Sequence, residues 1–215
     1  MVSKKLRELS RVTGAVRWIG AAGVLMVLCA VNPVGAGEMV ASLSGVSAGS
    51  NGTTAASAGV AVIEIWKTAR KLQLHQGDSL LGEFRVALGQ QPRDGKQVRG
   101  DGRTPVGRYY VAEKNHDSRF HRFLGISYPN TEDAERGYQK GILDAAEWAD
   151  IFIANLRGEE PPQHTVLGGR VGIHGYGGRP YVPVDWTEGC IAVSDEDIEY
   201  IFDRVSIGTP VIINE

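Results

Sequence analysis

From residue 61 onward the chain alternates short β-compatible runs with turns built on glycine and proline, and that alternation restricts the fold more than any other feature. Residues 61–66 and 71–75 have strand composition, Gln76-Gly77-Asp78 is a turn signal, and residues 83–88 form a partly apolar run. A hairpin or meander is the expected result. Residues 90–101 are polar, carry Gly95 and Gly100, and read as a loop. Arg103-Thr104-Pro105-Val106-Gly107 is a tight turn that feeds a strand over 108–113. Residues 166–174 and 211–213 return to strand character.

Two stretches break this pattern. Between 131 and 157, Ala134, Tyr138, Ile142, Ala145, Ala146, Trp148, Ile151, Phe152 and Leu156 recur at roughly helical spacing. Asn130 or Thr131 can cap the start, and Pro161-Pro162 stops the segment. Gly137 and Gly141 predict a helix that is broken or starts late. This insertion is either a lid over a site or a layer packed on one sheet face. Ser194-Asp195-Glu196-Asp197 opens a second helix, with Ile198, Ile201, Phe202 and Val205 as its apolar stripe. Its three acidic residues read as helix-start charges. The expected class is mainly β with two helical pieces.

The N-terminus reads differently. Lys4, Lys5, Arg7, Arg11 and Arg17 precede a nearly continuous apolar run over 18–31, then Val34-Gly35-Ala36. Residues 1–36 are expected to be a signal peptide cleaved after Ala36, or an uncleaved membrane anchor. Residues 37–60, rich in Ala, Ser and Gly, are expected to be a linker, and 61–215 the folded domain. The product is then exported. Five of the 23 basic and one of the 25 acidic residues lie in the first 36 positions, so the remainder is net acidic by six. With no basic stripe or aromatic-interleaved patch, nucleic acid is not an expected partner.

The exported part carries one thiol, Cys190, because the only other cysteine, Cys29, lies in the apolar N-terminal run. A lone thiol sixteen positions after a His174-Gly175 pair is a candidate nucleophile. An imidazole can take its proton and raise the thiolate fraction. Gly175 permits a sharp turn. Gly189 allows close approach and frees backbone N–H groups to face a developing oxyanion, and Thr187 offers a hydroxyl. By residue type alone, a lone Cys such as Cys190 is most often a small buried hydrophobe, and a histidine such as His174 more often a hydrogen-bonded core residue. His75, His116, His121 and His164 fit no usual zinc spacing.

The stretch Ile173-His174-Gly175, a gap, then Thr187-Glu188-Gly189-Cys190-Ile191 resembles the active-site motif of the L,D-transpeptidase (YkuD-like) family. Asp101-Gly102-Arg103-Thr104-Pro105-Val106-Gly107-Arg108-Tyr109 resembles its Thr-Pro-x-Gly turn and strand. The resemblance covers about residues 61–215. It implies a YkuD-like β-sandwich of mixed sheets with a helical insertion and a C-terminal helix. It implies a cysteine acyltransferase of cell-wall organisation and cell shape, acting on peptidoglycan stem peptides through a thioester. It implies a bacterial periplasm or cell envelope as the destination of the exported product. Cys190 is then nucleophile and His174 base, with Gly189, Thr187, Gly175, Arg179 and Trp186 as oxyanion or substrate contacts. No metal or organic cofactor is implied. The acceptor is a second stem or an envelope lipoprotein, and membrane contact comes only through an uncleaved N-terminal segment. Two positions depart from the family pattern: Glu188 stands where it has His, and Ala192 where it has Arg. Arg179, Arg170 or Arg103 is then the expected substitute cation. The variant resembles a branch that includes enzymes cutting envelope amide links. The alternatives are therefore an L,D-carboxypeptidase or amidase, and a non-catalytic wall-binding module.

Overall fold

The computed structural model describes residues 59–180 and 182–215. The expected signal or anchor over 1–36, and all but the last two residues of the expected linker, lie outside the described residues.

The strands are β1 (Ala61–Trp66), β2 (Lys71–Gln76), β3 (Ser79–Arg85), β4 (Gly107–Ser118), β5 (His121–Ile126), β6 (Gly172–His174), β7 (Ile191–Ala192) and β8 (Pro210–Asn214). The helices are α1 (Thr131–Gln139), α2 (Ala145–Arg157) and α3 (Asp195–Phe202). The strands form one eight-stranded sheet in the order β3-β2-β1-β8-β4-β5-β6-β7. β1 with β8 and β6 with β7 are parallel, and the other pairs are antiparallel, so the sheet is mixed. β4 joins its two halves: Gly107–Tyr110 pairs with β8, and the rest of the strand with β5. The sheet-dominated, YkuD-like architecture, with its helical insertion and late helix, is as the resemblance implied. The sheet curls, and the segment that follows β3 reaches its far edge, where Ala87 and Ala192 exchange two backbone hydrogen bonds of 2.8 Å.

Alternation explains the core. Ile63 and Ile65 of β1 face Leu74 and Leu72 of β2 in register, and all four are fully buried. α3 adds Ile198, Ile201 and Phe202 to the same cluster. Asn130 caps α1, accepting from the Asp133 N–H at 2.8 Å, while the Asp133 carboxylate accepts from the Asn130 N–H at 3.1 Å. The expected break falls at 140–144, where Gly141 takes a left-handed φ of 67°. α2 restarts on an Asp144 cap and ends at Gly158, three residues before Pro161. α1 and α2 bury Ala134, Leu143 and Ile151 with Leu167.

Two strand expectations are corrected. The chain re-enters the sheet at Ser79, because the turn at Gly77-Asp78 is short, and residues 86–89 leave β3 to cross toward β7. Of 166–174 only Gly172–His174 is strand, because the Gln163 side chain bonds the Arg170 N–H, and Gly168 and Arg170 have positive φ. β5 adds a strand where the sequence predicts none.

Candidate active site

β6 and β7 pair in parallel, with Ile173 opposite Ile191 and His174 opposite Ala192. Continuing that register sets Cys190 beside Gly172. Positions 172 and 174 share a strand face, so thiol and imidazole project on the same side of neighbouring strands. The Cys190 thiol donates to the Arg170 carbonyl at 3.5 Å, and the Gly172 N–H donates to the sulfur.

His174 is buried, and its Nδ1 lies 2.7 Å from the Gly175 carbonyl oxygen. A carbonyl only accepts, so Nδ1 carries the proton and the neutral ring keeps its basic lone pair on Nε2. The ring stacks on Phe120 at 4.2 Å between centroids and meets Trp186 edge-on at 5.9 Å. Burial pulls the His174 pKa below its usual value, with Arg119 adding to the effect; the Gly175 carbonyl and Asp195 oppose it. Burial also pushes the Cys190 thiol up to about 11; Glu188 adds to this, while the Gly172 N–H, Lys96 and Arg119 oppose it. At neutral pH the resting pair is therefore a thiol beside an uncharged imidazole.

Both residues line one groove of about 1320 Å³, with Trp186, Thr187, Glu188 and Gly189 beside them. The turn that presents Cys190 is fastened by Thr187. Its hydroxyl donates to the Cys190 carbonyl at 2.7 Å and accepts from the Gly189 N–H at 3.2 Å. In the free protein the Gly189 N–H therefore closes the turn instead of facing an oxyanion, and Thr187 shapes the loop from a buried position. Gly189 has φ 135°, and a Cβ there would stand 2.6 Å from the Arg103 carbonyl oxygen. Only glycine fits both demands.

Gly175 is not among the groove-lining residues. It is small because Asp195 and the Phe120 carbonyl pack against it. Asp195 does more than start α3: its carboxylate accepts from the N–H groups of Gly177 at 2.9 Å and Gly178 at 2.6 Å. That pins the segment whose carbonyl orients His174. Arg179 and Arg170 line the groove and are exposed. Arg103 turns toward Asp94, at 3.8 Å, and is not among the groove-lining residues.

A family model, YkuD, the L,D-transpeptidase catalytic domain, matches residues 60–213. The chain belongs to this family. No curated protein matches it. Among solved structures, the helical cell shape determining protein Pgp2 from Campylobacter jejuni is 22% identical, with a TM-score of 0.52, over 74% of this chain and 49% of that one. Bd1075 from Bdellovibrio bacteriovorus is 19% identical, with a TM-score of 0.47, over 74% and 49%. This chain thus spans about half the length of those proteins.

Within this L,D-transpeptidase domain the two departures have a structural setting. Ala192 is fully buried against Ala87 and Tyr176, with Trp186 alongside, which leaves no room for a long cation. Glu188 is exposed and lines the groove. Trp186 serves as both groove wall and loop anchor. α1 and α2 contribute nothing to the groove lining; Glu160, Gln163 and His164, just after α2, do. Sequence reasoning missed Phe120, Arg119 and Lys96, which reach the site only through the β4–β5 hairpin and the 90–101 loop. No local periodicity marks them.

Proposed function

We propose that the protein is an exported cysteine acyltransferase that remodels peptidoglycan stem peptides by L,D-transpeptidation. The observation that carries this reading is the placement of Cys190 and His174 on adjacent parallel strands, lining one open groove, with Nδ1 already committed to the Gly175 carbonyl. Membership of the family supports it.

In this mechanism Nε2 of His174 takes the thiol proton as the sulfur attacks the carbonyl carbon of an L-centre. The carbonyl π pair moves to oxygen. On collapse the carbon–nitrogen bond to the D-residue breaks, its nitrogen takes the proton from Nε2, and a thioester remains on Cys190. A second stem's amine then attacks, gives its proton to His174, and releases the thiol as a new amide forms. A neutral resting imidazole suits this sequence, because it can accept a proton without first losing one.

Incubating the protein with tetrapeptide stems and weighing the products tests the reading. The expected product is a cross-linked dimer that has lost one D-residue, absent with Cys190→Ala. Shortened monomers alone identify water as the acceptor and overturn transpeptidation. Turnover by Cys190→Ala overturns the nucleophile.

A further inference from the structure

Four of the five cationic residues lining the groove, Arg99, Arg119, Arg170 and Arg179, are exposed. The fifth, Lys96, is not: it is 4% exposed and sits beneath the nucleophile's turn. A Cβ on Gly189 would stand 3.8 Å from Lys96 Nζ, so the ammonium lies against the residue that precedes the cysteine. Gly168 packs over the same side chain, where a Cβ would meet Lys96 Cε at 3.4 Å.

The bonding around this ammonium is uneven. Lys96 Nζ donates to the Val98 carbonyl at 3.1 Å and to Asp101 Oδ1 at 2.9 Å. Its third proton has no acceptor among the described residues. Asp101 is far more heavily engaged, because its carboxylate also accepts from the N–H groups of Gln97, Val98 and Arg103. Those backbone donors offset the negative end of the pair. The positive end keeps a donor that no described residue accepts, and a side chain so little exposed has its charge weakly screened.

We propose that Lys96 is the cation that stabilises negative charge arising at Cys190, first on the sulfur and then on the oxygen of the attacked carbonyl. The exposed arginines, each in contact with solvent, set a weaker and salt-dependent background. A lysine whose charge Asp101 fully cancelled would fasten the 96–103 loop and leave little net potential at the sulfur. The proposal rests on Cys190 as nucleophile, yet its test needs no turnover, so failure of the transpeptidase reading leaves the measurement interpretable.

The test compares alkylation of Cys190 by anionic iodoacetate and neutral iodoacetamide in the full chain. Mass spectrometry of the Cys190 peptide keeps Cys29 out of the readout. Both reagents form a sulfur–carbon bond, break carbon–iodine and release iodide, with the thiol proton passing to solvent. The rate ratio therefore cancels thiol ionisation and retains local charge. Lys96→Met and Lys96→Gln should lower the iodoacetate-to-iodoacetamide ratio about three- to tenfold, and Lys96→Arg should hold it within about twofold. In the unaltered protein the ratio should exceed that of a free cysteine amide, a comparison that needs no variant to fold. A ratio unmoved in a folded neutral variant, or no higher than the free thiol's in the unaltered protein, overturns the proposal.

Discussion

Replacing Thr187 with valine changes one hydroxyl for a methyl group of nearly the same shape. The hydroxyl has two partners, the Cys190 carbonyl at 2.7 Å and the Gly189 N–H at 3.2 Å, and Thr187 is 4% exposed. Valine leaves the Gly189 N–H buried without an acceptor, at about 1–3 kcal/mol, and removes one net hydrogen bond to Cys190, about 0.5–1.5 kcal/mol. The added methyl recovers about 0.8 kcal/mol. The net loss is about 2 kcal/mol, which for a domain of this size lowers the melting temperature by about 4–8 °C. The same change loosens the turn that aims the sulfur, so the acylation rate of Cys190 should fall with it. Thr187→Ser keeps the hydroxyl and should keep most of both properties. Scanning calorimetry and a stopped acylation assay on the same preparations make the comparison. A valine variant that melts within about 1 °C of the original and acylates at the original rate would refute the assignment of Thr187 as the fastening of the turn.

Asp195→Ala should free the segment after Gly175, lowering kcat more than it raises KM. Because Asp195 raises the His174 pKa, its loss should also move the acid limb of the pH profile to lower pH; an unmoved limb contradicts that contact. For the unaltered protein, kcat/KM should climb with pH through a His174 value below 6.5 and stay level toward the Cys190 value of about 11. An acid limb centred above pH 7 contradicts a burial-depressed imidazole. The same depression bears on stability. Near and below pH 6.5 the unfolded chain binds a proton that folded His174 resists, so this contribution is present above 6.5 and is lost as pH falls. Chemical denaturation between pH 5 and 8 should show stability rising with pH over that window, and a flat or falling trend would disprove it.

Much of this was legible because it is local. β1 begins and ends where strand composition does, at Ala61–Trp66, and β2 runs one residue past its expected end. The helix break announced by Gly137 and Gly141 falls at 140–144, because a left-handed residue there ends one helix before Asp144 caps the next. The Cys190 and His174 motif was visible as residue types at a fixed separation. What escaped was tertiary. Gly189 advertised free backbone donors, but only the folded turn reveals that Thr187 takes its N–H. Asp195 has the ordinary signature of a helix start, and nothing in the chain marks its bonds to residues 177 and 178, seventeen and more positions away. Residues 166–171 have strand composition, but the side chain of Gln163 holds them in a loop, an effect no periodicity carries.

The seam between Ala87 and Ala192 limits how a peptide can be recognised here. A bare edge at β7 would invite augmentation, with a guest chain adding itself as one more strand regardless of its sequence. The two backbone bonds to Ala87 already occupy that edge. Under the proposed function, a stem peptide would then lie over the strands, against side chains such as Trp186 and Arg179 that line the groove, and selectivity would be open to change by point substitution without rebuilding the sheet.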